Sequence, residues 1–189
     1  FPLDSFACLC HINQILVELR VMQYRGLLGH CSLLYNCTMN DSKRLTKTLH
    51  DSFPLRAKRA HEVCGAGAPV FASIVCGVSN VSALWITPAH QQEHVNPEGV
   101  AQFCKPDQII YASGKTQTDV LWMAEEALRS GAVKVVVAQL VKPVDLTAGR
   151  RLQLAAEAGK TLGLFIIPEG MGSNAAETRW HCSPYFDAK

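Results

Sequence analysis

At 189 residues the chain has room for one domain with a sizeable buried core. Hydrophobic residues make up 48% and charged residues 18%, which excludes a disordered chain. A net charge of +2 is too mild to mark a nucleic-acid binder by electrostatics alone, so any DNA contact needs a local patch.

No apolar run reaches the roughly 18 residues of a spanning helix, so no membrane association is expected. Residues 6–17 are apolar in patches but lack a basic lead and a small-residue cleavage site, which fits a cytoplasmic protein. The eight cysteines are Cys8, Cys10, Cys31, Cys37, Cys64, Cys76, Cys104 and Cys182. None has the spacing of a zinc site. Cys8, Cys10 and His11 lie close together but lack a second ligand pair, so no metal is expected. Without a secretory signal the thiols are read as reduced, with Cys76 and Cys182 packed in apolar runs.

Residues 1–38 differ from the rest: they hold four cysteines, only four charged residues and little regular pattern. Met39-Asn40-Asp41-Ser42-Lys43-Arg44 reads as an ordinary protein start. Residues 1–38 then read either as a non-native upstream extension or as a disordered or loosely helical segment that packs Ile15, Leu16, Leu19 and Val21. Residues 39–60, with Lys43, Arg44, Lys47, Arg56, Lys58 and Arg59, form a basic lead-in, read as a solvated face or as a nucleic-acid contact.

The body, 61–189, alternates strand and helix. Short β-rich runs at His61–Cys64, Val81–Ile86, Gln108–Tyr111, Val133–Ala138 and Leu162–Ile167, with a sixth at Thr178–Cys182, suit strands buried on both faces. Thr118–Ser130 carries apolar residues at 120, 121, 124, 127 and 128, the period of an amphipathic helix. Thr116 with Asp119 offers a capping box, and Gly131 a stop. Thr147 is placed to cap a second helix ending at Gly159, with Ala148, Leu152, Ala155 and Ala156 inward. This alternation predicts an α/β fold, a mainly parallel sheet with crossover helices.

Three runs carry a family resemblance: Leu121-Trp122-Met123-Ala124-Glu125-Glu126-Ala127-Leu128-Arg129-Ser130-Gly131-Ala132, then Leu146-Thr147-Ala148-Gly149-Arg150-Arg151-Leu152-Gln153-Leu154-Ala155-Ala156-Glu157, then Ala175-Ala176-Glu177-Thr178-Arg179-Trp180. In order and spacing they resemble the ImuA family, RecA-like partners in bacterial damage-induced mutagenesis. Val81–His90 is similar to the RecA strand that bears the catalytic glutamate. The resemblance covers about 61–183 and implies a RecA-like core of the type that carries a phosphate-binding loop. It also implies a role beside RecA, a Y-family polymerase homologue and an error-prone replicative polymerase.

Against that pattern the nucleotide chemistry is missing. A phosphate loop needs glycines, a lysine and a magnesium-binding hydroxyl. In Gly65-Ala66-Gly67-Ala68-Pro69-Val70-Phe71-Ala72, Gly65 matches the first glycine and Val70 replaces the second. Phe71 replaces the lysine, with apolar bulk expected where phosphate oxygens sit, and Ala72 replaces the hydroxyl. The magnesium-binding aspartate position falls at Gln139 and the catalytic glutamate position at Ala89. These losses predict no ATP hydrolysis and no cofactor, so the protein is read as no enzyme. Gly65-Ala66-Gly67 reads as a tight strand-to-helix turn.

The resemblance therefore implies an accessory protein that works by docking, with a RecA-type subunit surface able to cap or join a filament. Arg150 and Glu157 fall opposite the inward stripe of their helix, and an exposed Leu154 beside Arg150 and Arg151 suits a partner surface. The plainer alternative is that Arg150 is solvated and Arg151 covers the edge of the core. Arg179 is a candidate phosphate or partner contact. Trp85, Trp122 and Trp180 read as core. His90, His94 and His181 form no ligand set, and His94 reads as solvated. Two other functions stay open: a DNA-binding module using the basic lead-in with Arg150, Arg151 and Arg179, and a cell-division inhibitor of the SulA kind.

Overall fold

The computed structural model describes residues 53–91 and 95–183, with 5–12, 15–22, 33–39 and 184–186 as backbone only. The strands are β1 Ser5–Ile12, β2 Ile15–Met22, β3 Leu33–Met39, β4 Ala60–Cys64, β5 Ala83–Pro88, β6 Ile109–Gly114, β7 Val135–Gln139, β8 Leu162–Ile166 and β9 Arg179–Phe186. The helices are α1 Ala68–Ser79, the short α2 Pro97–Val100, α3 Gln117–Ser130 and α4 Leu146–Gly159.

Six strands run parallel in the order β9-β4-β8-β7-β5-β6, and β6 is the outer strand on its side. β3 continues the sheet beyond β9 in antiparallel pairing, with β1 and β2 beyond it. Strand backbone thus stands where a loosely helical segment was one expectation for 1–38. The side chains of Ile15, Leu16, Leu19 and Val21, and most of the lead-in, lie outside the described residues.

The alternation of side chains along each strand builds two cores, one per face. On one face Val135 and Val137 of β7 join Ala83 and Trp85, Leu162 and Leu164, and Val63 beneath α1, whose Phe71, Ala72, Val75 and Cys76 point down onto them. On the other face Val136 and Ala138 join Ile86 and Phe165 beneath α3 and α4, which supply Val120, Ala124, Leu128, Leu152, Ala155 and Ala156. The result is a three-layer α/β body with helices on both sides of a parallel sheet. Phe53 and Leu55 also belong to the first core, so the basic lead-in is packed onto the body from Phe53 onward.

Helix ends follow local chemistry. The Thr116 hydroxyl accepts from the Asp119 N–H, and the Asp119 carboxylate accepts from the Thr116 N–H at 2.8 Å, the expected capping box. Gly131 ends α3 in the left-handed region at φ 66°. α4 is capped by Asp145 rather than Thr147. The Asp145 carboxylate accepts from the Ala148 N–H at 2.6 Å, so the helix begins at Leu146. A Cβ on Gly159 would lie 1.8 Å from the Leu128 carbonyl, so glycine there permits the close approach of α3 and α4.

Trp85 and Trp180 are buried, as expected, but Trp122 is 62% exposed. It lies two residues from Val120, about 200° around the helix, on the side opposite the buried stripe Val120, Ala124 and Leu128. Cys64, Cys76 and Cys104 are free thiols, and burial pushes Cys76 up to about 12. Cys182 is disulfide-bonded, so the expectation of reduced thiols fails there.

Candidate functional site

Ligands of open parallel sheets bind at the carboxyl ends of the strands, so the functional positions expected from sequence belong at that edge. Gly65, Gln139 and Ala89 lie at that edge. β4 ends at Cys64 and turns through Gly65, β7 ends at Gln139, and β5 ends just before Ala89. Gly65 has φ +90°, and a Cβ on it would lie 2.3 Å from the Cys182 carbonyl, so both conformation and space demand glycine.

The turn is folded onto its own sheet. The Gly67 N–H donates to the Cys182 carbonyl at 2.8 Å and the Ala68 N–H to the Gly65 carbonyl at 3.0 Å. Pro69 has no N–H, and the Phe71 N–H donates to the Gly67 carbonyl at 3.0 Å. An anion at a helix N-terminus needs these donors free and aimed outward. At the start of α1 they are largely consumed.

Phe71 stands elsewhere than expected. Its ring fills no space above the turn: it is 2% exposed and points down into the core. It stacks on Trp180 with centroids 5.2 Å apart and tilts against Phe53 at 6.0 Å. Ala72 is fully buried beside it. Val70 is half-buried and Gln139 half-buried. Ala89 is exposed, and its N–H closes the end of the β5–β6 pair on the Gly114 carbonyl at 2.8 Å. Glu169 at the same edge is engaged by His181.

The arginines separate into two kinds. Arg179 is held inside. Its Nε donates to Glu62 Oε2 at 2.8 Å and its Nη2 to the Ser173 carbonyl at 2.7 Å. Glu62, only 3% exposed, also accepts from the Ser173 N–H at 2.9 and 3.1 Å. This network ties β4 and β9 to the loop after β8, and it absorbs the charge that made Arg179 a candidate phosphate contact. The sequence signal was a glutamate inside a short β-rich run, because a buried carboxylate requires a partner.

Arg151 sits between the two kinds. Its Nη2 meets Glu125 Oε2 at 2.5 Å, while Arg129 takes Glu125 Oε1 at 2.5 Å and Glu126 at 2.9 Å. Glu125 is 6% exposed, so it clamps α3 to α4 from within. Arg150 is exposed on the outer face of α4, and Leu154 is 66% exposed there. Trp122 is the corresponding exposed apolar residue on α3.

Among the described residues no group of three or more His, Cys, Asp or Glu is arranged to hold a metal. His90 is exposed, His181 meets Glu169, and His94 lies outside the described residues. A cavity of about 10 Å³ beside Glu62, Gly149, Leu152 and Ser173 has room for one water. No described helix is long and apolar enough to cross a membrane.

No family model matches the chain, and no curated protein does. Among solved structures, SulA from Pseudomonas aeruginosa is similar at 24% identity with a TM-score of 0.46, over 57% of this chain and 95% of that chain.

Proposed function

We propose that this chain is a non-catalytic, cytoplasmic, RecA-like accessory protein of an SOS-type DNA damage response. It acts in error-prone translesion synthesis by docking on RecA, or on a Y-family polymerase homologue and an error-prone replicative polymerase. One observation carries the reading. The turn that would cradle phosphates spends its Gly67 and Ala68 N–H groups on the Cys182 and Gly65 carbonyls, and Phe71 is a core residue. A triphosphate there would find few of the donors, and not the cation, that phosphoryl transfer requires.

The three runs that resemble the ImuA family support the same reading, because they form one contiguous body. The first supplies α3 and the second α4, joined through Glu125 and Arg151. The third adjoins α4 where the Gln153 side-chain amide donates to the Ala175 carbonyl at 2.9 Å. The outer side of this body exposes Trp122, Arg150 and Leu154, a composition suited to a partner surface. A DNA-binding module is favoured less, since Arg179 is sequestered by Glu62 and Arg151 is tied to Glu125.

Pull-down with purified full chain tests the reading. RecA or the polymerase partner should be retained at micromolar concentration, and ATP turnover should stay at the buffer level. Failure to retain either partner would count against docking. Turnover abolished by a Gln139 substitution would overturn the non-catalytic assignment.

A further inference from the structure

We infer that Cys76 and Cys104 are the two halves of a reversible disulfide that fastens the end of α1 to the segment leading into β6. This stands independently of the docking role above. Cys76 lies in the last turn of α1 and is 3% exposed. Cys104 is half-buried and packs against the same core. Both are free thiols.

The backbone brings them together. Gly77 follows Cys76, and a Cβ on it would lie 1.9 Å from the Phe103 carbonyl oxygen and 3.4 Å from the Cys104 Cβ. Glycine there lets the 103–104 backbone press onto the helix beside Cys76. A disulfide needs such an approach, because it spans Cα separations of only about 4.4–6.8 Å. The Cys104 N–H donates to the Val100 carbonyl at 2.9 Å, which holds the segment in place. Electrostatics report the same proximity. Burial, with Cys104 beside it, pushes the Cys76 thiol up to about 12. Burial also raises the Tyr111 phenol, and Cys104 and Cys76 both add to that rise.

The oxidant is a small disulfide such as oxidised glutathione. The Cys104 sulfur, the more accessible, loses its proton to solvent and attacks one sulfur of that disulfide, releasing one glutathione thiolate. The Cys76 sulfur then loses its proton and attacks the Cys104 sulfur of the mixed disulfide, releasing the second thiolate. Both thiolates take up protons, so two protein thiols are oxidised while one glutathione disulfide is reduced to two thiols. Thiols held un-ionised attack slowly, so closure takes minutes to hours. Basic thiols are also poor leaving groups, so the closed link opens slowly. In a reducing compartment the pair is open at rest and closes under oxidative load.

Peptide mapping of the native full chain tests this. Glutamyl endopeptidase, cutting after Glu62, Glu93, Glu98 and Glu125, leaves Cys76 on 63–93 and Cys104 on 99–125. Incubation with oxidised glutathione should link these two peptides, and excess dithiothreitol should part them. Cys76→Ser and Cys104→Ser should each lose the link, and Cys64→Ser should keep it. Oxidation should raise Tm by about 5–10 °C more in the wild type than in Cys104→Ser, since the link closes the loop from 76 to 104. Circular dichroism verifies that each variant is folded, and Cys104→Ser, at a half-buried site, carries the test if Cys76→Ser is not. No link from the native chain, a link that forms only in urea, or one that survives Cys76→Ser or Cys104→Ser overturns the proposal. A link without the gain in Tm overturns it as well.

Discussion

Replacing Arg179 by alanine separates a structural arginine from a ligand-binding one. In the folded chain the Glu62 carboxylate is 3% exposed and has two supports, the Arg179 Nε at 2.8 Å and the Ser173 N–H. Arg179→Ala removes the cation and leaves a buried carboxylate on a single backbone donor. Breaking one partner of a buried pair costs about 3–5 kcal/mol. The Arg179 side chain is 26% exposed, which places the expected loss near the lower end, about 3 kcal/mol. For a chain of this length that corresponds to a fall in Tm of about 6–12 °C. Urea denaturation followed by tryptophan fluorescence reads the change directly. The loss should persist in about 1 M salt, because a pair this buried is poorly screened. Arg179→Met combined with Glu62→Gln should recover much of it by removing the stranded charge. If Arg179→Ala alters stability by less than about 0.5 kcal/mol while weakening binding to DNA or a partner, the internal-network account is wrong.

Three more expectations follow from other parts of the fold. Burial holds the His61 imidazole below its ordinary 6.5, with its Nε2–H donating to the Arg56 carbonyl and its Nδ1 accepting from the Thr178 hydroxyl. The unfolded chain takes up that proton first as pH falls. Stability should therefore be full above about 6.5 and decline toward the folded pKa by at most about 1.4 kcal/mol per pH unit, a slope that His61→Asn should flatten in urea titrations at pH 7.5 and 5.5. Phe71→Lys restores the lysine of a phosphate loop in letter only. It should cost more than about 3 kcal/mol by forcing an ammonium group between Phe53 and Trp180, and a folded Phe71→Lys protein that turns over ATP would contradict the placement of this residue. Trp122→Ala, despite removing the largest side chain of α3, should shift stability by no more than about 0.5 kcal/mol, and a loss of core-residue size in thermal melts would show that the helix face is misassigned.

The sheet was legible where burial on both faces leaves an unbroken apolar run. Val135–Ala138 and Leu162–Ile166 could be read without long-range information, and so could α3, because its capping box and Gly131 are local chemistry. α4 was misplaced at its start because Leu146 is 48% exposed and breaks the apolar period, hiding the Asp145 cap. Trp122 was misread by letting the average burial of tryptophan outweigh the helical period of its neighbours. The candidate turn was legible as a turn, but the direction of Phe71 was not. A helix residue that aligns with a ligand-facing lysine faces the core here, because Trp180, more than a hundred positions away, supplies the surface it stacks on. The pairing of Arg179 was hidden for the same reason: its partner Glu62 is remote in sequence and adjacent only through the β4–β9 register.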